Sequence, residues 1–352
     1  MNRITASPAF SSAQPHAGLA LGIGLTNECN LSCAFCYRDP ARTDRLTLEQ
    51  IKSVLENLPI RSVNLGTGEN GMHPDFRTVL AYLREQPIQL TITSNGHSIA
   101  VLEDEEVRAF HDIEFSLDYP TQEQQDTQRG SGNWMLIHEQ ADRCAKLGVP
   151  VTITSVMMKS NYLLLADVAR VAKKLNAPLR VNVYQAVRSD IYALAYGEYW
   201  EGFRRLFAET DVIAIGEPLV RAMARLPPLQ GGCGFSTVRV TPRGTTQPCV
   251  YWTGAGEPLA ELTAAGIGVL DSPPFQEARS LPQACESCEF RKACHGGCAG
   301  RRRLQGALSQ PDCYCPVIRG DSVRLKIRMA ASRDLPKLSS SCTTIVIARE
   351  SP

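Results

Sequence analysis

Neither sign of charge dominates this chain. There are 37 Lys and Arg against 36 Asp and Glu, a formal net charge of +1, and the two signs are mixed along the sequence. Such a balance leaves no electrostatic footprint for nucleic acid or for an anionic membrane. Long hydrophobic runs are also missing: none approaches the roughly 18–20 residues that span a bilayer. The opening stretch, Met1 to Gly18, is polar and contains proline, without the apolar core of a secretory signal. No internal repeat is present. These absences predict a cytoplasmic protein with no nucleic-acid partner and no membrane partner.

What the chain has in quantity is cysteine, 13 in 352 residues. Cys29, Cys33 and Cys36 form one group. Eight more lie between Cys233 and Cys315, and Cys144 and Cys342 stand alone. In a long cytosolic chain, clustered close spacings point to metal rather than to disulfides. The hydrophobic fraction, 43%, suffices for a sizeable core, and the length suits one large domain and a smaller one.

From residue 19 to about 215, short β-rich runs alternate with helical patterns. Leu19–Leu25, Ser62–Leu65, Leu90–Thr93, Ile113–Leu117, Val151–Met157 and Leu179–Tyr184 read as six strands. Helices are expected after Thr47, whose Thr47-Leu48-Glu49-Gln50 sequence is a capping box, and over Pro74–Arg84, Met135–Leu147, Leu163–Leu175 and Tyr199–Phe207. This alternation implies an α/β fold with a parallel sheet and right-handed crossovers. Six units fit an open, partial (β/α)6 barrel whose site lies at the carboxyl ends of the strands. The segments at 29–36, 66–69, 94–96 and 116–118 all fall there. Cys144 sits on the apolar face of a helix and reads as a small buried hydrophobe.

Past residue 215 the pattern changes, with Pro227-Pro228 and Gly231-Gly232 as punctuation. The following region, 216–320, has eight cysteines and few periodic apolar stretches, so metal cross-links would have to support it. Residues 321–352 are basic, then serine-rich at Ser339–Ser341, then end in the apolar run Thr344–Ala348. They read as a frayed tail, with Cys342 uninvolved.

The first cysteines have the spacing C-x3-C-x2-C. A tight loop of this kind turns three thiolates toward one face of a cube. Four would saturate a [4Fe–4S] cluster, whereas three leave one iron open. A structural zinc site would take four protein ligands, and no His or fourth Cys is near in sequence. This loop, with Phe35 before its last cysteine, resembles the signature of the radical S-adenosylmethionine (SAM) superfamily. Other motifs follow in the same order as in that family. Gly66-Thr67-Gly68-Glu69 resembles its Gly-Gly-Glu segment, which implies that Gly68 and Glu69 meet the methionine amino group of SAM. Asn70 stands where proline is frequent. Thr93-Ser94-Asn95-Gly96 resembles the turn after strand three. Ser116 and Asp118, with Arg129, resemble the stretch that holds the SAM ribose and carboxylate. The resemblance implies reductive cleavage of SAM to a 5′-deoxyadenosyl radical, which abstracts hydrogen from an unactivated C–H bond.

The second cysteine set also has a pattern. Cys233, ten residues, Gly244, four residues and Cys249 are followed by Cys285-x2-Cys288-x5-Cys294-x3-Cys298, then Cys313 and Cys315. This resembles the SPASM subgroup, a small cysteine-rich domain with two auxiliary [4Fe–4S] clusters, which makes three clusters in all. The resemblance implies that Cys233, Cys249 and Cys298 hold the inner auxiliary cluster. It assigns Cys285, Cys288, Cys294 and a late cysteine to the outer one. Cys315 before Pro316 matches the usual ending. Either Cys313 supplies the fourth inner ligand or one iron is open. His295 reads as a loop histidine near the outer set, and Tyr251 and Trp252 as cavity-lining candidates.

Sulfatase-maturing members carry an aspartate after the cysteine matching Cys249. Here that residue is Val250, which argues against serine or cysteine oxidation by that route. Tyr184, Gln185, Arg188 and Asp190 are the polar groups expected at the strand-six mouth, and no catalytic acid or base is assigned. Two substrate classes stay open. One is a ribosomally made peptide, modified by cross-linking, decarboxylation or a similar step. The other is a small molecule such as a sugar, nucleoside or tetrapyrrole. Residues 1–18 are too few for the peptide-binding domain many maturases carry, so a peptide precursor would need a separate escort protein. A flavodoxin or ferredoxin-like electron donor is implied by the resemblance.

Overall fold

The computed structural model of the protein describes residues 18–228, 232–252, 254, 256–331 and 342–350. The opening segment before Gly18 and the serines at 339–341 lie outside the described residues. Six parallel strands follow one another in both sequence and space: β1 (Leu19–Ile23), β2 (Ile60–Leu65), β3 (Gln89–Ser94), β4 (Asp112–Ser116), β5 (Val151–Met157) and β6 (Leu179–Val183). They are the six strands expected. Helices Leu48–Asn57, Phe76–Arg84, Asn133–Leu147 and Leu165–Lys174 cross between successive strands, as right-handed βα units require. Among the described residues no helix is long and apolar enough to cross a membrane.

Local chemistry accounts for the helix starts. Thr47 Oγ1 accepts from the Gln50 amide at 3.2 Å, and Gln50 Oε1 accepts from the Thr47 amide at 2.9 Å. The box therefore satisfies two end donors at once. Ile51 and Val54 of that helix are buried, as are Val79, Leu80 and Leu83 of the next and Ile137, Ala141 and Cys144 further on. These stripes pack against Val63, Leu65, Ile92, Ile113, Phe115 and Ile153 on the strands. The concave side of the sheet is polar instead. Glu114 and Arg180 form an ion pair there, both almost fully buried. Thr93 Oγ1 donates to Glu114 at 2.8 Å, and Asn64 Nδ2 donates to Thr91 at 2.9 Å.

Five strands were not anticipated, two of them at the edge of the sheet beyond β6. β7 (Thr210–Ile215) follows helix Tyr196–Glu209. Thr343–Ala348, expected to be frayed, is instead a strand with Thr343, Thr344, Ile345 and Val346 all buried. It lies antiparallel between β6 and β7, pairing Thr343 with Asn182 and Ile345 with Ala214. A six-residue apolar run is ambiguous in isolation, and here two waiting strand edges decide it. The short helices His97–Ala100, Asp104–Val107 and Gln122–Arg129 were also not anticipated.

The other edge of the arc is extended by the cysteine-rich region. β8 (Thr237–Val240) runs parallel to β1, with Leu21 opposite Val238. β9 (Thr245–Gln247) and β10 (Glu257–Pro258) follow antiparallel. Numbering the tail strand β11, the sheet reads β10-β9-β8-β1-β2-β3-β4-β5-β6-β11-β7. Gly22 on β1 makes room for β8: a Cβ there would fall 1.7 Å from an Arg239 guanidinium nitrogen. Arg239 thereby reaches the concave face.

Truncation after Ala331 removes β11 and leaves facing edges of β6 and β7 unpaired. Hydrogen exchange of those amides is expected to quicken by about a hundredfold, while β2, β3 and β4 keep their protection. Unchanged exchange in β6 and β7 would contradict the role given to β11.

Candidate functional site

A cavity of about 970 Å³ opens at the carboxyl ends of the parallel strands. The loop after β1 supplies one wall. Its thiols Cys29, Cys33 and Cys36 all face the cavity, and the backbone around them is pinned. The Cys36 amide donates to the Cys33 carbonyl at 3.0 Å, and the Leu31 amide to Cys29 Sγ at 3.4 Å. Arg38 ties the carbonyls of Asn27 and Leu31, at 3.2 and 2.6 Å. Glu28 forms a bidentate pair with Arg45, at 2.6 and 2.9 Å. Burial pushes the Cys29 thiol up to about 11. Burial raises Cys33 as well, against the pull of the nearby Arg129 charge.

The Gly-Thr-Gly-Glu segment after β2 is sewn to this loop. The Glu69 amide donates to the Glu28 carbonyl at 2.7 Å. Gly68 has φ 66°, and a Cβ there would lie 2.4 Å from the Thr26 carbonyl oxygen and 2.5 Å from that of Glu28. Only glycine permits this approach. Thr67 beside it is also left-handed, with φ 75°, and its hydroxyl meets Tyr37 at 2.8 Å. The Glu69 carboxylate is buried and crowded with donors: the Ser94 hydroxyl at 2.5 Å, the Ser98 amide at 2.7 Å and the Asn95 amide at 2.9 Å. Asn95 in turn donates from Nδ2 to Asn30 at 2.8 Å and to Cys29 Sγ at 3.5 Å. Glu69 thus fixes the strand-three turn against the cysteine loop.

Ser116 and Arg129 line the same cavity. Asp118 stands behind the wall, fully buried, and acts on the cavity through Arg129, whose Nε donates to it at 2.7 Å. Its other oxygen accepts from the Val156 amide at 2.8 Å. The Arg129 guanidinium lies 5.2 Å over the Phe35 ring, and the Arg129 carbonyl is 3.8 Å from Cys33 Sγ. Gln125, not foreseen, accepts from the Asp118 amide at 2.9 Å and holds Asn133 at 2.8 Å.

The opposite wall belongs to the second cysteine set. Cys233, Cys249 and Cys298 border the cavity, with Tyr251 and Trp252 beside them. The Tyr251 ring meets Tyr37 edge-on at 5.4 Å. Cys342 is there as well, its sulfur 3.6 Å from that of Cys233. The expectation that Cys342 sits in a frayed tail is thereby corrected: β11, which starts one residue later, brings it to the barrel mouth. Tyr184, Gln185 and Arg188 line the cavity, and Asp190 lies off its wall.

Cys285, Cys288, Cys294 and Cys315 surround a separate small space with Leu219, Met223 and Phe290. Burial raises Cys285, Cys294 and Cys315, and neighbouring sulfurs of the same group raise them further. Cys313 points elsewhere, taking a hydrogen bond from Gln305 Nε2 at 2.9 Å. His295 is engaged by the Arg279 carbonyl at 2.6 Å. Between the two sets sits a buried tie that sequence reasoning missed. Arg301 pairs with Asp312 at 2.6 Å and with Glu217 at 2.8 Å. Asp312 also accepts from the Cys298 amide at 2.9 Å, and its carbonyl accepts from the Cys315 amide at 2.9 Å. Gly297 leaves room for it, since a Cβ would fall 2.3 Å from that of Asp312.

The arrangement is that of a barrel enzyme with one open cavity between two groups of thiols. Residues 23–173 match the radical SAM superfamily, so this part of the chain is a radical SAM domain. It is 26% identical over 349 residues to the mycofactocin maturase MftC of Mycobacterium tuberculosis, covering 91% of this chain and 87% of that one. In fold it resembles Streptococcus suis SuiB bound to the precursor peptide SuiA, with TM-score 0.64, 16% identity and coverage of 85% of this chain and 76% of that chain. It also resembles anSMEcpe with bound AdoMet, with TM-score 0.66, 17% identity and coverage of 86% and 94%. This is a radical SAM enzyme, and the family brings a [4Fe–4S] cluster and SAM with it.

Asp118→Ala strands the Arg129 guanidinium, about nine-tenths buried, without its counter-charge. The expected loss is about 3 kcal/mol in urea unfolding, and Asp118→Ala combined with Arg129→Met recovers more than half of it. A single-variant loss under about 1 kcal/mol would mean the pair does not hold this turn.

Proposed function

We propose that Cys29, Cys33 and Cys36 hold the SAM-binding [4Fe–4S] cluster, that the cysteine-rich region holds two auxiliary clusters, and that the enzyme modifies a ribosomally made peptide at an unactivated C–H bond. The donor sets fit these groups. Three half-buried thiols on one loop leave a corner of a cube free, with the Asn95 amide alongside rather than a further thiol. Cys285, Cys288, Cys294 and Cys315 gather four thiols around one space, as the outer cluster needs.

When bound, the first cluster and SAM supply a 5′-deoxyadenosyl radical that takes hydrogen from the substrate. The protein's own part is placement. Gly68 lets the backbone close on the cysteine loop, and Glu69 and Asn95 set the edge against which the SAM methionine end rests. Ser116 and Arg129, with Asp118 behind, receive its ribose and carboxylate. Phe35 shields the cluster loop from water. Tyr251 and Trp252 on the far wall would hold the target across the cavity from the first cysteine loop. A flavodoxin- or ferredoxin-type protein supplies the electron, and a separate escort protein presents the precursor.

The observation that carries this reading is the single cavity walled on one side by the first three cysteines and on the other by the second set. The peptide assignment is supported by the near full-length likeness to a maturase and by the fold shared with peptide-bound enzymes.

Anaerobic reconstitution is expected to give about twelve irons per chain, from three four-iron clusters, and reduction with SAM to release 5′-deoxyadenosine. Cys29→Ala, Cys33→Ala or Cys36→Ala abolishes that release. Cys285→Ala and Cys288→Ala retain part of it but form no modified peptide from a precursor supplied with its escort, as followed by mass spectrometry. Full product from the last two variants would remove the outer cluster from the reaction.

A further inference from the structure

The inner auxiliary site lacks a fourth ligand in the sequence pattern, and the structure brings one to it from the far end of the chain. Building on the cluster assignment above, we propose that Cys342 is the fourth thiolate of the inner auxiliary cluster, closing the set Cys233, Cys249 and Cys298.

Four observations place these sulfurs together. Cys342 Sγ lies 3.6 Å from Cys233 Sγ, well beyond the S–S bond of about 2.05 Å in a disulfide. The Cys342 thiol also contacts that of Cys298, and the Cys249 thiol contacts that of Cys233. All four border the same cavity. Gly300 clears the space beside them: a Cβ there would sit 3.3 Å from Cys249 Sγ and 3.9 Å from Cys298 Sγ. The rival, Cys313, is held away by Gln305.

The position of Cys342 is set by the sheet. β11 begins one residue later, runs antiparallel to β6, and opens its ladder at Asn182, next to the carboxyl end of that strand. The Gly216 amide donates to the Thr343 carbonyl at 2.6 Å, and Thr343 and Thr344 are buried. Inserting β11 between two strands therefore delivers the thiol to the barrel mouth, and slipping the register by one would turn its neighbours to the wrong face. A closed shell has a functional consequence. With four thiolates on its irons the inner cluster has no site to chelate substrate, so it takes up or passes on electrons while the cavity residues alone bind the peptide.

The test uses full-length protein carrying Cys29→Ala, Cys33→Ala and Cys36→Ala, so that only auxiliary clusters contribute. After anaerobic reconstitution this protein should hold about eight irons, and ¹³C-cyanide should produce no ¹³C hyperfine coupling in the reduced state. Adding Cys342→Ala should either lose about four irons or keep them with shifted g values and a new ¹³C coupling from the exposed iron. Adding Cys342→Ser should keep the irons with altered g values, and adding Cys313→Ala should change nothing. Iron content and spectra unchanged by Cys342→Ala, or a change produced by Cys313→Ala instead, overturns the proposal. Well under eight irons in the parent, or zinc in their place, overturns the auxiliary-cluster reading and this inference with it.

Discussion

The site in this molecule is arranged around thiols largely or partly withdrawn from water. A buried sulfur resists ionisation, as the Cys29 thiol near 11 illustrates, and several thiolates facing one another would repel strongly. Such groups are stable as neutral thiols or as ligands of a metal centre that absorbs their charge. The parallel sheet supplies the rigid edge from which the cysteine loops project. The cost of burying polar groups at that edge is met by dense hydrogen bonding rather than by exposure.

Two buried polar knots do the joining. One is the Glu69 carboxylate, which collects Ser94, Asn95 and Ser98 and so locks the strand-three turn to the first cysteine loop. The other is Arg301 with Asp312 and Glu217, which fastens the backbone amides of Cys298 and Cys315 to the segment following β7. Each knot is local, yet each sets the distance between one group of sulfurs and the cavity. Placement to within a fraction of an ångström is what a radical reaction asks of its protein, because the reactive group itself discriminates poorly between C–H bonds.

The parts of this architecture that were legible in the sequence are those set by short-range rules. Strands β1 to β6 declare themselves by alternation with amphipathic helices, Thr47 and Gln50 mark a helix start, and the spacing of Cys29, Cys33 and Cys36 specifies a loop. Cys144 was correctly read as core, and it is fully buried. What escaped notice depends on contacts distant along the chain. Thr343–Ala348 reads as a tail because its partners, β6 and β7, are more than 120 residues upstream. Cys342 follows the fate of that strand, so its nearness to Cys233 has no signature in spacing. Arg239 reaches the concave face only because Gly22 on another strand yields the room. Asp118, matched by resemblance to a stretch that holds SAM, stands behind Arg129, a distinction of depth that a one-dimensional motif does not carry.

The most direct measurement of the central claim is Mössbauer spectroscopy of protein reconstituted anaerobically with ⁵⁷Fe, recorded with and without SAM. The account predicts signals of three [4Fe–4S] clusters, with SAM altering one iron of one cluster and that response vanishing in Cys33→Ala. Protein that takes up zinc at the first loop, or whose iron signals ignore SAM entirely, would contradict it.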